Sequence, residues 1–360
     1  LEHAAYHSLD DHLRSLPHCQ IRHAWLQLDA LSQQWVTSWP SVEHAIAPVE
    51  FSEVMATYLG VESPLVRGRV GEHIPDGPTS HRVCDAYGIQ LALATLPGRS
   101  FDDHHDDILG TIYRDLRSCG VDGQDEPRHL FAGVLPAQAI RQVGARRLGI
   151  IPDMRLWRLP FPDPHLSART VGHLLDLKTI HDGTQWYQRA EARSDRGAAV
   201  AARGRTVHTE YERLARNLDE RHHNVLAAGV RAGRIAPGPV LSLLRTFPRV
   251  IGLAFGAFGE ASPDVHTLLA HAATVGAARM WRTMGARSML EARGFLVSQL
   301  RRTWGVAAVR AAARLRASRA VFIGMEPRVA QGLRRVAHRG PVDPAVFMAG
   351  VAPAVDHRRG

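Results

Sequence analysis

Lysine is all but missing from this chain. Its 360 residues carry 44 Lys and Arg side chains, and a single one of them, Lys178, is lysine. Nearly every surface cation is therefore a planar guanidinium that does not give up its proton. Cysteine is scarce as well. Cys19, Cys84 and Cys119 are too few and too scattered for a disulfide framework, which favours a reducing, intracellular compartment. No apolar run reaches the roughly 18 residues needed to span a bilayer, and no charged-then-apolar leader opens the chain. These absences speak against a membrane-embedded protein and against a disulfide-stapled secreted one. The first residue is Leu1 rather than Met, and the expectation is a piece of something longer.

What is present describes a globular protein: hydrophobic residues make up 45% and charged residues 22%, well outside the disordered range. The formal charge of +9 suggests a polyanionic partner. The excess is concentrated beyond His266, where sixteen Arg face only Glu291, Glu326, Asp343 and Asp356. Arginine-rich coding that simply loads exposed helix faces is the competing explanation, at even weight.

The chain divides into four stretches. Residues 1–65 read as a helical N-terminal extension, with helical apolar spacing in "HAWLQLDALSQQWV". Residues 66–262 read as an α/β core. In it "GIQLALATLPG" looks strand-like, and a helix runs from about Asp103 to Cys119, capped by Asp102 or Asp103 and stopped by Gly120. A polar loop follows, then a helix near 135–146. "RLGIIPDMRLWRL" and "ARTVGHLLDLKTIH" read as two strands joined through the Pro-rich "PFPDPHLS", which makes a hairpin. Residues 198–220 are helical, and "RVIGLAFGAFGEA" is a buried strand whose glycines imply a close neighbour. Residues 263–325 form a basic helical extension of two or three long helices, and residues 326–360 a Pro/Gly-rich tail.

The hairpin carries the chemistry. Asp153 follows Pro152 in its first strand, and Asp176 and Lys178 lie in its second. Residues i and i+2 of a strand share a face, so Asp176 and Lys178 are co-facial, and pairing across the hairpin can bring Asp153 beside them. Two close carboxylates repel unless a cation sits between them, and Mg²⁺ (or Mn²⁺) suits such oxygen ligands. A metal there polarises a phosphoryl oxygen, and a lysine can steady the attacking water or the transition-state charge. Arginine would serve badly, because it keeps its proton and is bulkier. The bland alternative is a strand-end ion pair with Asp153 as turn chemistry after a proline. Of the other conspicuous residues, Arg155 on the first strand and Arg203, Arg205 and Tyr211 on the 198–220 helix are candidate nucleic-acid contacts. The last three equally suit one face of an amphipathic helix. Trp186 and Tyr187 offer stacking surfaces, although aromatics leaving a strand more often join a core.

The order "IIPD…LLDLK" resembles the PD-(D/E)xK nuclease core. More narrowly, it is similar to the restriction-like endonuclease region downstream of reverse transcriptase in non-LTR retrotransposons, over roughly residues 20–260. That resemblance implies a restriction-endonuclease-like central mixed sheet flanked by helices, with helical extensions before and after. It implies Mg²⁺-dependent cleavage of DNA, with RNA as the alternative polyanion, and no membrane partner. It also implies linkage to an upstream reverse transcriptase and, for a eukaryotic element, a nuclear location. Asp153 and Asp176 would hold the metal and Lys178 would assist the water. His105 and Asp107 are the nearest counterparts of the family's helix acid, with Asp106 and Glu126 behind them. The chain departs from the family at its Cys/His cluster. His81 and Cys84, with His104 or His105, fall short of the four ligands that a structural zinc wants. A catalytically inactive nucleic-acid-binding remnant, or a metal-dependent phosphohydrolase of another kind, fits the same residues.

Overall fold

A computed structural model gives the arrangement of the chain. It describes residues 20–326, apart from 39–40, 43, 78–80, 129, 132–133, 135–149, 162–171 and 227–237, and adds residues 11, 12 and 15. The expected helix near 135–146, most of the Pro-rich hairpin connection and the tail beyond Glu326 lie outside the described residues.

The protein is mixed α/β, with a four-stranded sheet in the order β1 (Gly123–Asp125), β2 (Met154–Leu156), β3 (His173–Thr179) and β4 (Ile251–Phe255). The β1–β2 and β2–β3 pairs are antiparallel, and β3–β4 is parallel. The parallel pair is closed by a helical crossover: α6 (Gln185–Gln188), α7 (Ala190–Ser194), the long α8 (Ala198–Leu226) and α9 (Pro239–Leu244). Before the sheet come α1 (Gln20–Gln27), α2 (Gln34–Thr37), α3 (Pro48–Leu59), α4 (Ile89–Leu93) and α5 (Ser100–Cys119). After it come α10 (Pro263–Met280) and α11 (Met289–Ala320).

The central strands β3 and β4 are covered by helices on both faces and are largely buried. Leu175 and Leu177 of β3 pack with Ile108, Ile112 and Leu116 of α5, Leu268 of α10 and Trp304 of α11. The alternate residues face the crossover helices: Leu174 meets Val207 of α8 and Val240 of α9, and Ile180 meets Val200 of α8. Trp304 is fully buried and donates its indole N–H to Asp115 on α5 at 3.0 Å. The last long helix thus shares its core with the central strand.

Four local readings change. "GIQLALATLPG" forms the short helix α4 and no strand. The Asp85 carboxylate accepts the backbone N–H groups of Tyr87, Ile89 and Gln90, a capping arrangement that outweighs the β-branched and apolar composition. "HAWLQLDALSQQWV" breaks into α1 and α2, because Asp29 takes the N–H groups of Leu31 and Ser32 into a turn. The loop after Cys119 contains β1, a three-residue edge strand with mostly exposed polar side chains and hence little hydrophobic signal. Helix α5 starts at Ser100, with Asp102 and Asp103 in its first turn rather than at its cap. It ends where Gly120 turns left-handed at φ 85°, as expected.

The glycines of the buried strand do mark a close neighbour. A Cβ on Gly204 of α8 would lie 2.9 Å from the Gly252 carbonyl oxygen, and one on Gly252 would collide with the Gly204 backbone. Helix α8 therefore rests directly on β4. Gly252→Ala should destabilise the fold by about 1–3 kcal/mol through overpacking, read as a lowered midpoint in urea denaturation. Gly294→Ala, where nothing lies within 4 Å, is the matched control and should not lower it.

Candidate active site

Pro152 has no N–H to give a ladder, and β2 begins only at Met154, opposite Leu175. Strand β3 runs on past that point to Thr179, leaving an open edge. Asp153 fills it with its side chain: its Oδ2 accepts the backbone N–H of Leu177 at 2.6 Å. The same oxygen is 3.1 Å from Nε2 of His105, which reaches in from α5.

Asp176 lies on the face turned to α8 and is 3% exposed. Its Oδ1 accepts the Tyr211 hydroxyl at 2.9 Å, and Tyr211 also reaches the Ile151 carbonyl at 3.2 Å. The Lys178 ammonium forms a close ion pair with Asp176 Oδ2. The lysine side chain keeps 31% exposure against 5% for the carboxylate, so the acid is the floor and the ammonium the solvent-facing lip. The expected trio meets at one place, with His105 joining from α5 and Tyr211 from α8.

The electrostatics carry the mark of two crowded carboxylates. Burial raises the Asp176 carboxyl above its ordinary range and the Asp153 charge raises it further, with Lys178 and Tyr211 pulling the other way. The Tyr211 phenol is pushed well up by burial and by both aspartates, so it remains a donor. Burial would lower His105, but its hydrogen bonds and proximity to Asp153 and Asp106 override this and carry it to about 9. Nearby Asp125 on β1 is raised by burial, Glu126 and Asp153. Glu126 holds a left-handed φ of 35°, and its carboxylate is engaged by Arg128.

Several expected site residues stand elsewhere. Residues two apart on a helix point to nearly opposite sides. When His105 faces Asp153, Asp107 faces away, and it pairs with Arg314 at 2.6 Å. Asp106 lies between His105 and Arg99. Tyr211 is a buried partner of Asp176 rather than a surface phosphate contact. Arg203 forms a two-pronged pair with Glu210, at 2.7 and 3.0 Å. Arg205 is exposed on α8, and Arg155 stacks over Trp157 and Phe247. Cys84 is buried, with its thiol against the Asp85 carbonyl, while His104 stacks on His181. The role of Tyr211 was the one missed, since a tyrosine on an amphipathic helix does not announce which carboxylate it will meet.

Among the described residues no group of three His, Cys, Asp or Glu side chains is placed to share one metal ion. Asp153 and Asp176 offer two carboxylates, which suits Mg²⁺ or Mn²⁺, ions that are commonly held by one or two carboxylates with water and substrate oxygens completing the shell. The raised affinity of Asp176 for a proton comes first from burial and then from the Asp153 charge, and a bound cation would relieve the second.

Tyr211→Phe should leave a buried carboxylate oxygen short of a donor and cost about 1–3 kcal/mol in urea denaturation. The His105 ion pair has a pH signature. Its folded value lies above the ordinary 6.5, so its stabilisation is complete below that pH and is lost as pH rises through about 9. In His105→Ala the fall in stability across this window should flatten, as read from denaturation midpoints over a pH series. No family model, no curated protein and no solved structure matches the chain.

Proposed function

We propose that this protein is a metal-dependent nuclease with a restriction-endonuclease-like core, hydrolysing phosphodiester bonds of DNA with Mg²⁺ or Mn²⁺. The observation that carries the reading is the meeting of Asp153, Asp176 and Lys178 at the open edge of β3. A bound divalent ion would supply Lewis acidity toward a phosphoryl oxygen. Asp153 and Asp176 would hold it, each already fixed by a neighbour: the Leu177 N–H in one case and the Tyr211 hydroxyl in the other. Lys178 stands at the solvent-facing lip, where its ammonium can orient the attacking water and balance charge gathering on the phosphoryl oxygens. A compact ammonium suits that place better than the bulkier planar guanidinium. The resemblance in sequence order supports a nicking module of a retroelement polyprotein, one that would supply a primer end to a reverse transcriptase.

A second reading has its own support. Both carboxylates already carry cationic partners, His105 and Lys178, and the described residues bring no third ligand to them. That is the arrangement of a nucleic-acid-binding remnant whose arginine-rich helices do the work.

Plasmid nicking separates the two. The nuclease reading expects Mg²⁺-dependent nicking that EDTA abolishes. It further expects Asp176→Asn and Lys178→Ala each to lower the rate by about 10²-fold or more, with circular dichroism unchanged. Undiminished cleavage by either variant sinks this assignment of roles. Salt-sensitive DNA binding with no nicking by the wild-type protein favours the remnant, and an RNA substrate arm decides the polymer.

A further inference from the structure

Beside the carboxylates lies an arginine–tryptophan stack that the reaction as described leaves unused. Ile180 directly follows β3, two residues beyond Lys178, and continues the face turned to α8. Ile180 belongs to a cluster with Val200 and Tyr187, against which Trp186 of α6 packs. Trp186 is half-buried, and two guanidinium carbons lie over its indole: Arg189 at 4.3 Å and Arg203 at 5.4 Å. Arg203 and Tyr211 are both on α8, eight residues and so about 12 Å apart along the axis. Between them Glu210 grips Arg203, and its charge reaches Tyr211. Contacts thus lead from Lys178 through Asp176 to Tyr211, and along α8 to Arg203, Trp186 and Arg189.

The two arginines differ in what they have left to give. Arg203 has spent two of its nitrogens on Glu210. Arg189 is exposed, and among the described residues no carboxylate pairs with it. Stacking over an aromatic ring engages the face of a guanidinium and leaves its in-plane N–H donors for an oxyanion. It also lowers the conformational entropy lost when that oxyanion binds. Lys178 lies on β3 and Arg189 directly after α6, so the two cations are separate groups on separate elements. A ligand that used both would be a polymer backbone, not a lone phosphate monoester.

We propose that Arg189, held over Trp186, is a phosphate-binding subsite for the nucleic-acid strand whose cleaved bond lies at Lys178. This rests on the nuclease reading and names how its substrate is held. Residues 185–189 thereby position the strand outside the reacting centre, and Trp186 acts as a positioning residue for Arg189.

The test is fluorescence anisotropy of a labelled DNA duplex in EDTA over a NaCl series, with no turnover. Arg189→Ala should weaken binding about tenfold and reduce the slope of log K against log salt by about one. Arg189→Lys should restore the slope but only part of the affinity, and Trp186→Leu should lose part of the affinity with the slope kept. Arg282→Ala removes an equivalent stack on Trp281, at 5.1 Å, at the far end of α10, and should leave binding unchanged. Binding unaltered by Arg189→Ala overturns the subsite, and so does an equal loss from Arg282→Ala, which would mark general surface charge. Because this measurement needs no catalysis, a failure of nicking strikes the nuclease reading and a flat anisotropy series strikes the subsite.

Discussion

The hydrogen bond from the Leu177 N–H to Asp153 is the constraint on which the site depends. Strand β3 outruns its partner β2, and a backbone donor at that edge would otherwise stand bare. Buried donors without acceptors cost free energy comparable to a lost hydrogen bond, so a short acidic side chain at the start of β2 is held there by the sheet itself. Once Asp153 is fixed to β3, its distance from Asp176 is no longer free. The two acids are crowded by the ladder, with no attraction between them.

That crowding organises what surrounds it. A buried carboxylate beside another has a raised affinity for protons, and it persists as an anion only if donors and cations converge on it. Four groups do: the Leu177 N–H and His105 on one acid, Tyr211 and Lys178 on the other. They arrive from three elements, α5, β3 and α8, and each depends on a packing decision made elsewhere. Helix α5 is held through Trp304 and Asp115. Helix α8 is held where Gly204 and Gly252 let backbone touch backbone. The site is polar, but it is positioned by apolar packing on both faces of one strand.

Much of this was legible in the sequence, for identifiable reasons. The period-two rule put Asp176 and Lys178 on one face, and the hairpin brought Asp153 to them, because both depend on contacts close in the chain. Helix α5, the Gly120 stop and the long C-terminal helices, two of the two or three expected, followed from apolar spacing and the glycine stop. Errors arose where a side chain took over the backbone's hydrogen bonds. Asp85 turned an apolar run into α4 and Asp29 split a helix, and neither effect leaves a trace in hydrophobic periodicity. Strand β1 was invisible because a glycine and two polar edge residues carry almost no pattern.

The sequence by itself determined which residues have the chemistry: a lone lysine, two aspartates around a Pro-containing turn, and glycines where helix must meet strand. Tertiary structure decided which of the remaining polar groups join them. His105 and Asp107 are equivalent by composition, yet helical rotation sends one to Asp153 and the other to Arg314. Tyr211 reads as a surface contact until α8 is laid across the sheet, where its hydroxyl meets Asp176. Partners far apart in the chain are chosen by the angle and depth at which helices dock, and local residue patterns do not encode that geometry.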